Sequence, residues 1–284
     1  METTVSGGGK EVRIGREGPT VLIGERINPT GRRKLAEALK AGDWDVVRRE
    51  AVDQVEAGAD ILDVNVAVSD LDERSVLPRA VEVVCGAVNV PLCIDINDPA
   101  ALREALAVYE GKPIVNSVTG EEKSLQEILP LVKERGAAVI GLTLDDRGIP
   151  RTSEERYEVA CRIVERAEAA GIPREDVIID CLALSLGADD QAAVTTLGAI
   201  RRVREGLGVN QTLGASNISF GMPDRVLINQ IFLSLAVAAG VTCPTVNVAR
   251  AGAAVLATDL VLGRDRYSQR FTSHYRRQKK ASRS

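Results

Sequence analysis

The chain has 284 residues, of which 45% are hydrophobic and 27% charged, a balance that belongs to folded globular proteins rather than disordered ones. Its net charge of −4 offers no basic excess for a polyanion, so nucleic acid is not an expected partner. No apolar run approaches the ~20 residues that span a bilayer, so no membrane association is expected either.

Residues 1–19 contain Gly7-Gly8-Gly9 and read as a flexible leader. From there, short runs rich in Val, Ile and Leu alternate with longer amphipathic stretches. The runs, at 21–24, 61–64, 92–94, 114–115, 138–142, 177–179, 212–215 and 245–248, have the character of strands buried on both faces. Helices are predicted between and after them at 45–57, 73–87, 99–109, 124–135, 153–170, 189–205, 224–239 and 251–262. Gly58, Gly136, Gly171 and Gly240 stand where left-handed caps close helices. Thr152 and Ser153 followed by Glu154 and Glu155 supply an N-cap and early carboxylates, and Asp98 and Asp224 read as helix caps. Residues 30–44 are expected to form an extra helical insert at the rim.

Eight strand–helix units over residues 20–263 match a single-domain (β/α)8 barrel, which typically takes about 250 residues. A doubly wound sheet with a glycine-rich nucleotide turn fits less well, because no such turn is present. Residues 264–284 form a basic C-terminal tail with eight Lys/Arg against one acid, Asp265; it reads as a solvated tail or helix end, with partner docking as a second role. The five cysteines form no C-x-x-C pair, so reduced thiols and a cytoplasmic location are expected. His274 is the single histidine and lies in the tail, which argues against a His-rich metal site or a Ser-His-Asp triad.

In such a barrel the active site lies at the carboxyl ends of the strands. The residues there are Glu25 and Asn28, Asp63 and Asn65, Asp95 and Asn97, Asn116 and Ser117, Thr143, Asp180, Ser216 and Asn217, and Asn247. Carboxylates and amides dominate; Lys and His are absent, which disfavours Schiff-base and His–metal chemistry. Any one polar residue at a strand end often only caps the next helix. Together they suit a flat heterocycle with several N–H donors and a few acceptors, since carboxylates accept from an amino group and a ring N–H together and amides donate and accept at once. A pterin is such a heterocycle.

The segment Ile23-Gly24-Glu25-Arg26-Ile27-Asn28 resembles the opening signature of pterin-binding methyltransferases. Matches continue in order through residues 58–65, Leu92-Cys93-Ile94-Asp95, Ile114-Val115-Asn116-Ser117, Ile140-Gly141-Leu142-Thr143, Ile178-Ile179-Asp180, Ser216-Asn217-Ile218-Ser219 and Leu227-Ile228-Asn229. The resemblance covers roughly residues 20–262. It implies transfer of a methyl group between N5 of methyltetrahydrofolate and cobalt(I) of a separate corrinoid protein, with the cobalamin carried by that partner and no metal on this chain. It further implies that Asp95, Asn116 and Asp180 hold the pterin ring, that Asn217 reaches N5 as the catalytic residue, and that Glu25, Asn28, Asp63, Asn65 and Ser216 line the same mouth. A homodimer is implied as well. Phe220-Gly221-Met222 after Ser219 is closer to the folate module of cobalamin-dependent methionine synthase than to the corrinoid/iron-sulfur branch. Dihydropteroate synthase is an alternative, but its basic motif near the seventh strand is replaced here by Ser216-Asn217-Ile218. A non-catalytic pterin binder in a corrinoid complex is a third reading.

Overall fold

Strands covered by helices outside and by one another inside have no solvent face, so their apolar runs need not alternate with polar residues. The computed structural model, which describes residues 1–281, uses the chain in this way. In order, the elements are β1 (Glu2–Gly7), β2 (Lys10–Gly15), β3 (Ile23–Ile27), α1 (Arg33–Ala41), α2 (Trp44–Ala57), β4 (Ile61–Val64), α3 (Glu73–Cys85), β5 (Leu92–Asp95), α4 (Pro99–Val108), β6 (Ile114–Thr119), α5 (Glu122–Arg135), β7 (Ala138–Leu142), α6 (Ser153–Ala169), β8 (Val177–Asp180), α7 (Ala192–Gly206), β9 (Asn210–Thr212), α8 (Arg225–Ala239), β10 (Thr245–Val246), α9 (Val248–Val261) and α10 (Gln269–Ala281). Strands β3 to β10 form one parallel sheet in which β10 returns to pair with β3. On its other side Thr245 N donates to Leu213 O at 3.1 Å, and a bridge links Gly214 to Thr245. The sheet is thus an eight-stranded barrel ringed by helices, as expected.

Two apolar layers result from the alternation of side chains along each strand. Outward residues such as Leu62, Ile94, Val115, Val139 and Ile179 pack under the helices. Inward residues, including Ile23, Ile61, Cys93, Ile114, Ile140 and Ile178, fill the barrel. Local capping agrees with the sequence at several ends. Asp98 accepts from Ala100 N, and Thr152 with Glu155 completes a capping box at α6. Asp224 is a correction: it precedes α8 with φ 45° and makes no side-chain cap, because a left-handed backbone points its carboxylate away from the first turn. The seventh barrel strand is also shifted, ending at Thr212, because residues Ala215–Ser219 wind into a 3-10 turn.

The expected flexible leader is not one. Residues 2–15 form an antiparallel hairpin whose Gly8 and Gly9, at φ 57° and 77°, make the two-residue turn between β1 and β2. Val5, Val12 and Ile14 alternate onto one face and join the barrel's inner apolar layer. Tyr109 donates its hydroxyl to Ser6 O at 2.8 Å and accepts from Leu92 N, while Asn210 Nδ2 donates to Ile14 O at 2.9 Å. The hairpin therefore closes the amino-terminal end of the barrel. The basic tail is likewise built in up to residue 281: Asp265 accepts from Arg270 N and Phe271 N to start α10, and Arg270 donates to Thr20 O and Asp60. Residues 282–284 of the expected tail lie outside the described part. The insert at 30–44 holds α1, with Leu35 and Leu39 buried.

Candidate active site

Two residues beyond each inward apolar side chain, the same strand face emerges at the carboxyl end of the barrel. Ile23 is thus followed by Glu25, Ile61 by Asp63, Cys93 by Asp95, Ile114 by Asn116 and Ile178 by Asp180. A polar layer sits directly on an apolar one, with period-two geometry as the cause. These five residues, with Asn28 and Asn217, line one cavity of about 250 Å³. It is open at the mouth opposite the hairpin.

Hydrogen bonds order this layer. Asn116 Nδ2 donates to Asp63 Oδ1 at 3.1 Å, so one of its amide hydrogens and its oxygen stay available. Asp180 accepts from Leu182 N at 2.7 Å and Gly214 N at 3.3 Å. Leu182 itself is held at φ 57° by Arg156, a fully buried guanidinium that donates to Cys181 O, Leu182 O and Pro150 O. Asn65 and Ser216 do not line the cavity. The Asn65 side chain lies near enough to Asp95 to favour its charged form and accepts from Ala67 N, and Ser216 Oγ lies 3.5 Å from both oxygens of Glu25. Asn28 Oδ1 accepts from Thr30 N, and Asn217 stands exposed in the 3-10 turn beside Gly214. Of the other strand-end residues, Asn97 faces solvent, Thr143 is fully buried, and Asn247 lines a neighbouring groove.

Carboxylates gathered in a half-dry cavity cannot all ionise at the usual cost. Burial raises Asp180 to about 6. Burial likewise raises Asp95 to about 6, with Asn65 pulling the other way. Asp63 is pushed well above the carboxylate range, first by burial and then by the charge of Asp95. Glu25 is raised by burial, against the pull of Arg26. The cavity is therefore rich in acceptors whose charge is poorly solvated, and a ligand presenting N–H donors relieves that cost.

Ile140, Thr212, Gly214 and Thr245 complete the lining and were not singled out from the sequence. Thr212 Oγ1 and Thr245 Oγ1 are 3.2 Å apart. The two-residue step that leads from Ile178 to Asp180 also leads from Asn210 to Thr212 and from Cys243 to Thr245. Placing the seventh strand two residues late hid the first of these. Arg156 gives no local signal, since on a helix pattern it reads as surface charge.

A family model described as pterin binding enzyme matches residues 24–247. A methylcorrinoid:tetrahydrofolate methyltransferase of Eubacterium limosum is 30% identical over 267 residues, covering 91% of this chain and 97% of that protein. A methionine synthase of Mycobacterium leprae is 30% identical over 246 residues, which are 82% of this chain but 20% of that much longer protein. Among solved structures, a Yersinia pestis dihydropteroate synthase with a pterin–sulfa conjugate superposes with a TM-score of 0.71 at 18% identity, covering 93% of this chain and 99% of that one, which bears on the fold alone.

Proposed function

Because the chain belongs to the pterin-binding enzyme family, we propose that it moves a methyl group between N5 of methyltetrahydrofolate and cobalt(I) of a corrinoid carried by a separate protein. The observation that carries this reading is the single cavity that unites Asp63, Asp95, Asn116 and Asp180 with Asn217 at its edge. The name of the Eubacterium limosum relative supports the same chemistry.

Asp180 accepts from the pterin 2-amino group and N3–H, a paired contact suited to a carboxylate. Asp95 and Asn116 hold the rest of the ring, with Asn65 fixing Asp95 and Asp63 orienting Asn116. Glu25 and Asn28 border the mouth, and Ser216 steadies Glu25. The nucleophile comes from the partner, so this chain has to fix the ring and help N5 leave as an amine. Asn217, a neutral amide, stabilises protonated N5 by a hydrogen bond that strengthens in the transition state. The carboxyls raised toward neutrality are suited to hold and pass the proton through water.

Outward on α8, Leu227, Ile231 and Leu235 are 51%, 55% and 49% exposed at four-residue spacing. An apolar stripe of this kind suits a second copy of the chain, and we assign the homodimer contact to it. All five cysteines are free, in keeping with a reducing cytoplasm.

The test follows cobalt(I) consumption spectroscopically with methyltetrahydrofolate and a panel of purified corrinoid proteins. Methylation of at least one supports the reading. Pterin binding with no turnover against any of them, or formation of dihydropteroate from p-aminobenzoate, overturns it.

A further inference from the structure

The cavity of about 250 Å³ falls below the roughly 300–1,000 Å³ of pockets for larger ligands. It is sized for a ring system, and whatever is attached to that ring must lie outside it. A second groove of about 220 Å³ shares Glu25 with the cavity and includes Ser216, the neighbour of Asn217. Three arginines from three elements line it: Arg26 of β3, Arg225 at the start of α8 and Arg250 in the first turn of α9.

Their charges are compensated only in part, with Glu25 acting on both Arg26 and Arg225. Arg26 is 3.7 Å from Glu50. Arg225 donates to Ser219 Oγ at 3.0 Å and Ser216 O at 3.1 Å and lies 4.5 Å from the Phe220 ring centroid, all uncharged partners. The guanidinium of Arg250 makes no hydrogen bond or ion pair among the described residues, and its charge lowers the basicity of Arg26, behind burial and Arg32. Both α8 and α9 begin here without a side-chain cap, so their amino-terminal dipoles add positive potential. Asn229 Oδ1, also on this lining, is buried and has no donor. Val226, Leu233 and Val246 supply apolar wall.

Taken together, this is a site for an extended ligand with an apolar body, an N–H donor and more than one anionic group, joined to a ring in the neighbouring cavity. We propose that the Arg26–Arg225–Arg250 groove binds the p-aminobenzoyl-γ-glutamate tail of the folate, and that it favours tails with several γ-linked glutamates over one. The proposal rests on the pterin reading of the cavity. A diphosphate attached to a pterin has comparable charge, but it has no apolar body to meet Val226 and Leu233.

The experiment measures, on the full chain, dissociation constants for 6-methyltetrahydropterin, methyltetrahydrofolate monoglutamate and its triglutamate, with inorganic pyrophosphate as a competitor. Triglutamate is expected to bind about tenfold tighter than monoglutamate, the size of one or two partly shielded ion pairs. That advantage shrinks with salt and falls to within about twofold in Arg250→Gln and Arg225→Gln. Equal binding of the two folates by the wild type, or an advantage that survives in both variants, overturns the tail site. Pyrophosphate displacing triglutamate at lower concentration than free triglutamate itself also overturns it, in favour of a phosphate site. The tail-less pterin separates the two readings: if it binds and the tails add nothing, only the tail site falls, whereas if it does not bind, the pterin cavity falls first.

Discussion

Replacing Asp180 by Asn separates what its carboxylate does for the folded chain from what it does for a ligand. In the free protein the group is buried, and its value rises from 3.8 to about 6, which corresponds to about 3 kcal/mol of cost to folding at neutral pH. Because the folded value lies above the unfolded one, the folded chain holds the extra proton between about pH 4 and 6. The stability that this group contributes is complete below that window and is lost as pH rises through about 6. Asn removes the charge but keeps an oxygen for Leu182 N at 2.7 Å. Its amide nitrogen then confronts Gly214 N–H, where the carboxylate accepts at 3.3 Å, at a cost of about 1–2 kcal/mol. The net gain at pH 7.5 is about 1–2 kcal/mol, or roughly 2–6 °C in melting temperature, and it vanishes near pH 4.5. Pterin affinity moves the opposite way, falling on the order of 100-fold as charge-assisted bonds are lost. For the wild type, affinity should strengthen as pH rises through about 6, and binding near pH 6 should release protons, measurable by calorimetry in buffers of different ionisation enthalpy. Melting curves of both proteins at pH 4.5 and 7.5 test the folding half. A variant that melts lower at pH 7.5, with the same pH dependence as wild type, would refute the argument from charge burial.

Asn217→Ala should slow methyl transfer about 10- to 100-fold while changing the dissociation constant of methyltetrahydrofolate less than about threefold, if the bond proposed for it to N5 strengthens in the transition state; single-turnover kinetics beside equilibrium binding reads both. Ile14→Ala, at the closed end of the barrel, should cost about 2–4 kcal/mol in denaturant unfolding and leave pterin affinity untouched, because the hairpin faces away from the mouth. Arg156→Leu should cost about 2–3 kcal/mol by taking the donor from the buried Cys181 carbonyl and from the half-buried Pro150 carbonyl, while Leu182 O keeps Thr196 Oγ1. It should also weaken pterin binding through the loop that presents Leu182 N to Asp180, with partial recovery in Arg156→Lys.

The strand ends could be read from the chain because the relevant code is local. A buried strand shows as a few consecutive Val, Ile or Leu residues, and the residue two steps past the last inward one is by geometry at the barrel mouth. Glu25, Asp63, Asp95, Asn116 and Asp180 are legible as the polar residues at the ends of those runs, and their shared cavity follows from barrel closure. The hairpin also had a local signature, in Thr3 and Val5 alternating before Gly8-Gly9 and Val12 and Ile14 after, but a glycine triplet is equally at home in a linker. What distinguishes the two is whether an apolar surface is waiting, and that surface is made by eight strands distant in sequence. The same holds for the groove of Arg26, Arg225 and Arg250. Each arginine is unremarkable on its own element, and only closing β10 against β3 sets the starts of α8 and α9 beside the end of β3. The raised carboxyls are tertiary as well, because burial dominates their shifts, and burial is a property of the assembled barrel, whereas periodicity belongs to the chain.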